Sequence, residues 1–169
     1  MELTAEVREL VEFYKLEPHP EGGFYRRTYC AEGLIQQSTQ QMRFKGERHY
    51  STAIYYLLPA GNRSKLHRIA SDEVWHFYLG GPITIAEISP KDGKVKLTSL
   101  GNDFRKGQVF QHVVPAGSWF GSYPQEGTAF ALVGCTVSPG FDFADFEIGD
   151  KDKLLKEFPN AKEVIDRLL

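Results

Sequence analysis

Ser64, His67, Glu73 and His76 put a hydroxyl, two imidazoles and a carboxylate within a short stretch of chain. A neutral imidazole takes and gives protons near neutral pH, and a carboxylate beside it orients the ring and stabilises its charged form. Trp75, Phe77 and Tyr78 run through the same stretch, and Gly61 and Gly80 close it. A surface loop does not need this mixture, and a core strand cannot bury it without polar partners. Residues 61–80 therefore read as the wall of a pocket. As a metal centre the stretch is weak. His67 and Glu73 make two ligands where a catalytic metal usually keeps three. His76 joins them only if its ring faces inward, and strand alternation turns it away from Glu73 and Trp75. The reading assigns no metal and no cofactor, and keeps a metal-dependent enzyme as the weaker alternative.

A second set of residues suits ligand binding. Tyr25, Arg26 and Arg27 are adjacent, and further arginines stand at 43, 48 and 68. Arginine pairs with phosphate through two parallel hydrogen bonds, and aromatic faces such as Tyr25, Trp75, Phe77, Trp119 and Phe120 can stack on a base or sugar ring. Ser51 and Ser64 are small hydroxyls at strand ends. No Gly-x-Ser-x-Gly elbow and no glycine-rich phosphate loop occurs. His19, beside Glu21 in a proline-rich turn, reads as a turn residue, and His49 and His112 have no evident partner. Cys30 and Cys135 read as reduced, buried thiols.

The elements that must position these groups are mostly strands. Thr4 caps a helix over about 4–16, whose Val7, Leu10, Val11 and Tyr14 form one apolar stripe. Pro18 and Pro20 end it, and His19–Gly23 makes a turn. Strands follow at 24–30, 50–58, 65–69, 73–79, 83–89, 94–100, 108–114, 118–122 and 129–137. Residues 31–48, rich in glutamine, read as a loop or frayed hairpin. Phe141–Ile148, where Asp142 and Asp145 alternate with phenylalanines, reads as an edge strand able to meet a second subunit. The tail, about 150–169, returns to helix, with Asp150 or Asp152 capping Lys153–Phe158 and Asn160 capping Ala161–Leu169. The pattern is all-β, a sandwich or barrel with helical trimmings, in one domain over 1–169 with the barrel at about 22–148.

With 169 residues, 41% hydrophobic and 25% charged, the chain has the balance of an ordinary globular domain. A net charge of −2 gives no electrostatic case for a nucleic acid polymer or an anionic membrane. The start lacks a basic and apolar leader, and no run approaches the roughly 18 apolar residues that span a bilayer, so a cytoplasmic protein is expected.

Gly61, His67, Glu73 and Gly80 fall on a spacing that resembles the first motif of the cupin superfamily, with Ile69 at its second histidine. Pro115-Ala116-Gly117 resembles the second motif, with Phe120 at its histidine. The strings Pro18–Tyr25, Ser51–Leu58, His67–His76, Val114–Phe120 and Gly134–Phe143 resemble, more narrowly, a family of small single-domain cupins of uncharacterised function. The resemblance implies a double-stranded β-helix, or jelly-roll barrel, with an N-terminal helix and C-terminal helices. It implies a pocket for a small molecule of nucleoside diphosphate, sugar or nucleotide sugar type, and a homodimer with Phe24–Cys30 as a candidate arm to cross between subunits. Metal-free cupin epimerases, which the chain also resembles, use a histidine at the position of His67 as a base. Glu73 or Asp72 is then its carboxylate partner, and Tyr56 or Tyr25 its acid. The expected function is a metal-independent isomerase or epimerase, with a non-catalytic nucleotide- or carbohydrate-binding cupin as the alternative. Both readings use the same pocket residues.

Overall fold

The computed structural model describes residues 3–36 and 43–169. Its elements run α1 (Ala5–Tyr14), β1 (Glu17–Pro18), β2 (Phe24–Cys30), β3 (Leu34–Ile35), β4 (Arg48–His49), β5 (Thr52–Pro59), β6 (Ser64–Arg68) and β7 (Asp72–Gly80). The chain continues through β8 (Ile83–Ile88), β9 (Val95–Leu100), β10 (Gln111–Val114), β11 (Trp119–Pro124), β12 (Phe130–Ser138), β13 (Glu147–Ile148), α2 (Lys151–Glu157) and α3 (Lys162–Leu168). Among the described residues one sheet has the order β1-β2-β5-β12-β7-β10, and the facing sheet β13-β6-β11-β8-β9. Neighbours far apart in sequence, all antiparallel, make this a jelly-roll barrel.

The alternation of side chains explains the layers. In β12, Ala131, Val133, Cys135 and Val137 point into the barrel, where they meet Tyr56, Trp75, Ile85 and Phe120. Phe130 and Leu132 point outward and are covered by Val7 of α1. In β8, Ile83 and Ile85 face inward while Ala86 and Ile88 face Leu154, Phe158, Ile165 and Leu168 of the C-terminal helices. That is why β8 is buried along its whole length.

Several boundaries differ from the sequence expectation. Within the expected loop 31–48, Leu34–Ile35 pairs with Arg48–His49 as the short β3–β4 ladder, and positions 37–42 lie outside the described residues. The segment 141–148 is not a continuous edge strand. Phe143–Asp145 is a 3-10 turn capped by the Asp142 carboxylate, and Asp145 is buried in a bidentate pair with Arg48, at 2.7 Å for both contacts. Apolar–polar alternation misled here because the aspartates serve backbone and arginine rather than solvent. Asn160 does not cap α3, since Pro159–Ala161 forms a 3-10 turn first and no side chain caps the helix. β2 pairs with β1 and β5 of its own chain.

Candidate functional site

The cavity between the two sheets is built from a turn, a bulge and two facing strands. The turn is His19–Gly23. Gly22 and Gly23 have φ of 118° and 70°, which glycine adopts without strain. A Cβ on Gly22 would lie 2.2 Å from the Arg63 carbonyl oxygen. The Glu21 carbonyl accepts a hydrogen bond from the Lys65 backbone N–H (2.9 Å), and Tyr56 donates its hydroxyl to the Gly22 carbonyl (2.8 Å). The turn is thereby fastened to β6, and the Glu21 side chain is carried into the barrel, where Glu21 is buried.

The bulge lies in β6. Phe120 of β11 pairs with His67 and Ser122 with Ser64, so two steps on one strand match three on the other. In a regular strand residues three apart face opposite sides, and the extra residue brings both side chains toward Glu21. Ser64 donates to Glu21 Oε1 (2.8 Å), and His67 Nε2 lies 3.1 Å from Glu21 Oε2. His67 Nδ1 is 2.7 Å from the Lys65 carbonyl oxygen, which can only accept, so Nδ1 carries a proton. The close approach of Nε2 to a carboxylate oxygen then requires a second proton between them. Glu21 and His67 form one unit that holds a shared proton. Its ring is packed against Phe120 (centroids 4.1 Å) and Phe146 (5.3 Å).

His19 completes this wall. Its Nδ1 accepts from the Glu21 backbone N–H (3.3 Å), so the 3.7 Å approach of Glu21 Oε2 to the same nitrogen is not an ion pair. Burial lowers the His19 pKa, Glu21 opposes that, and His67 adds to it.

Glu73 of β7 faces the cavity from the opposite sheet. Burial, and then the charge of Glu21, raise its pKa to about 8, while the Cys135 thiol and the Trp75 indole oppose the rise. Glu73 is therefore a neutral carboxylic acid at neutral pH. Burial also pushes the Cys135 thiol and the Tyr56 phenol upward, so neither ionises readily.

The inner cavity is small, about 50 Å³, with Ile54, Ile69, Val137, Phe141 and Phe146 as its apolar lining. That is room for roughly three or four waters. Tyr25, Thr52, Ile54 and Phe141 also line an adjoining groove of about 540 Å³ that contains Glu17, Arg26, Arg27, Asp142 and Phe143.

Of the residues singled out in the sequence, the structure brings Tyr25, Tyr56, His67 and Glu73 to the inner cavity and Arg26 and Arg27 to the groove. Ser64 reaches Glu21 rather than open space. Ser51 donates to the Val137 carbonyl. Trp75 and Phe77 pack in the barrel core, and Trp119 packs under the C-terminal helices with Arg68 over its ring at 4.5 Å. His76 points outward, as alternation requires, toward Thr136 and Gln111. Asp72 caps the 115–118 turn through the Ala116 N–H. The carboxylate on His67 is thus Glu21, and neither Glu73 nor Asp72. His19, read as a turn residue, is both that and part of the wall. No sequence pattern joins Glu21 to His67, although a Glu-Gly-Gly turn entering a barrel strand marks a place where the backbone comes close to a neighbour.

Cupin folds can hold a metal, and the donors here do not suit one. Ile69 and Phe120 stand at two ligand positions of the motifs, and among the described residues no three His, Cys, Asp or Glu side chains are grouped to bind an ion.

Residues 8–149 match the family described as Cupin superfamily (DUF985). An uncharacterised protein of Saccharomyces cerevisiae is 30% identical over 153 residues, covering 85% of this chain and 75% of that one. The crystal structure of a Shewanella oneidensis protein matches with a TM-score of 0.85 at 39% identity, covering 99% of this chain and 98% of that one. A hypothetical protein from Leishmania major matches with a TM-score of 0.84 at 31% identity, with 98% of both chains covered.

Proposed function

The chain belongs to the DUF985 family of the cupin superfamily, and from that premise we propose that it is a small-molecule-binding cupin which moves a proton on its ligand without a metal. The reading is an isomerase or epimerase acting on a sugar or nucleotide sugar. The observation that carries it is the Glu21–His67 contact of 3.1 Å inside a cavity whose metal-ligand positions hold Ile69 and Phe120. A proton on carbon next to a carbonyl would pass to a carboxylate oxygen of Glu21, held in place by His67, its bonding electrons moving into an enediol whose oxygen takes a proton in turn. Return of the proton to either face or to the neighbouring carbon gives epimer or isomer, with no oxidant needed. The larger part of the ligand would lie in the groove, where Arg26 and Arg27 suit a phosphate and the half-exposed Phe143 suits a ring.

Exchange of a ligand C–H for deuterium in D₂O tests the reading, with ligands chosen by thermal shift from sugars and nucleotide sugars. Wild type is expected to catalyse exchange, and His67→Ala to lose it at least a hundredfold. Exchange unchanged in His67→Ala overturns the assignment. The non-catalytic reading is favoured by one result: ligands that bind through Arg27 while no exchange occurs in wild type. Within the same proposal the protein is a cytoplasmic homodimer. Tyr78, Phe110 and Val113, exposed around the outer side of β7 and β10, support an association face. Sedimentation at micromolar concentration as a monomer speaks against it. Among the described residues no helix is long and apolar enough to cross a membrane.

A further inference from the structure

Glu73 has no role in holding His67, and its position asks for another. It enters the cavity from the sheet opposite to His67, on the strand β7, with Val137 beside it on β12 and Val114 on β10. The titratable groups that share the cavity with it are His19 and Glu21 from the turn, Tyr25 from β2, His67 from β6, Tyr56 from β5 and Cys135 from β12. The Trp75 indole N–H, fully buried, is turned toward the Glu73 carboxyl and meets no other hydrogen-bond partner. Among the described residues no lysine or arginine lines the inner cavity, and the Glu21 charge already bears on Glu73 there. An anion pushed into this space would find no cation to pair with, and desolvation would count against it. The arginines stand outside, in the groove.

We infer that the inner cavity is a subsite for a small, uncharged, oxygen-bearing head group, a ketone or aldehyde with its neighbouring hydroxyl, whose oxygen accepts a hydrogen bond from the Glu73 carboxylic acid. The inference rests on the proton-transfer reading above and sharpens its substrate class. The reacting end is neutral and of few heavy atoms, and any phosphate or carboxylate of the ligand stays in the groove with Arg26 and Arg27. Glu73 then supplies the proton that the carbonyl oxygen takes as the carbon-bound proton leaves to Glu21–His67. One C–H bond and the Glu73 O–H bond break, one enediol O–H bond and one Glu21 O–H bond form, and charge is conserved. Burial and the Glu21 charge hold Glu73 protonated for this purpose up to about pH 8.

Hydroxyacetone and glycolate test it, since each has five heavy atoms and only glycolate is charged. Their binding is followed by amide chemical shifts at pH 6.5 and 9 in wild type, Glu73→Gln and Glu73→Ala. Wild type is expected to bind hydroxyacetone at least tenfold tighter than glycolate at pH 6.5, and to lose about tenfold of that affinity by pH 9 as an acid of pKa near 8 ionises. Glu73→Gln keeps an N–H donor, so it should stay within threefold of wild type at pH 6.5 and show no loss at pH 9. Glu73→Ala should lose tenfold at pH 6.5. Glycolate binding equal to or tighter than hydroxyacetone overturns the inference, as does a pH loss that persists in Glu73→Gln, or folded wild type that does not bind hydroxyacetone. These outcomes concern binding alone. Deuterium exchange that depends on His67 would stand beside any of them, so failure here is distinguishable from failure of the proton-transfer reading.

Discussion

At the scale of single residues the cavity separates two carboxyl groups by their surroundings. Glu21 accepts from Ser64 and is held against His67. Glu73 lies among Ile69, Val137 and Cys135, where the neutral form is favoured. Two carboxyls in such unlike surroundings can divide the roles of acid and base within one space. The separation has a thermodynamic signature. With its folded pKa raised to about 8 from 4.5, Glu73 binds its proton more tightly in the folded than in the unfolded chain. Its contribution to stability is fully present below the unfolded value and is lost as pH rises through the folded one, at most about 1.4 kcal/mol per pH unit. Thermal or urea unfolding of wild type should therefore lose stability between pH 5 and 8 relative to Glu73→Gln. Equal pH profiles for the two proteins would mean that Glu73 is ionised in the fold at neutral pH. Little of this pairing is legible in the sequence. His67 and Glu73 are visible by type and motif spacing, but Glu21 sits far up the chain in a turn, and only tertiary structure brings it to His67.

At the scale of elements the site depends on two departures from regular geometry. The bulge in β6 lets Ser64 and His67 serve one carboxylate, and the Glu21-Gly22-Gly23 turn delivers that carboxylate. Gly22→Ala should be costly, because φ of 118° is unfavourable for alanine and its Cβ would sit 2.2 Å from the Arg63 carbonyl oxygen. A loss of roughly 3 kcal/mol is expected in denaturant unfolding, together with a shift of the His67 signals. Stability within 0.5 kcal/mol of wild type (roughly the scale of a neutral surface change) would show that the turn is free to move without cost. The strand at Phe24–Cys30 is legible from its aromatic and β-branched run between a glycine turn and a polar segment, and the structure gives the same limits. The bulge is not legible, because alternation counted along β6 assumes an unbroken register. The segment 141–148 fails for the related reason that its aspartates are spent on a helical turn and on Arg48.

At the scale of the whole molecule the barrel is closed on its outer sides by helices from both chain ends. α1 covers Leu57, Phe130 and Leu132, and the C-terminal helices cover Leu66, Ala86, Ile88 and Trp119. Both helical ends and the all-β middle are legible, because a period of 3.6 and a period of 2 do not imitate one another. What the covering achieves for the site is indirect. Leu66 is anchored outward under the C-terminal helices, so its neighbour His67 is held inward with its ring between Phe120, Phe146 and Glu21. The barrel thus presents a proton-sharing carboxylate–imidazole pair where other cupins can present a metal. Long-range ¹⁵N NMR of the histidine rings at pH 7, with His67 assigned by comparison with His67→Asn, tests this most directly. The expected result is a ring protonated at Nδ1, whose Nε2 signal moves in Glu21→Gln and is unmoved by stoichiometric zinc or manganese. A bare Nδ1, a spectrum indifferent to Glu21→Gln, or ring signals displaced by either metal would contradict it.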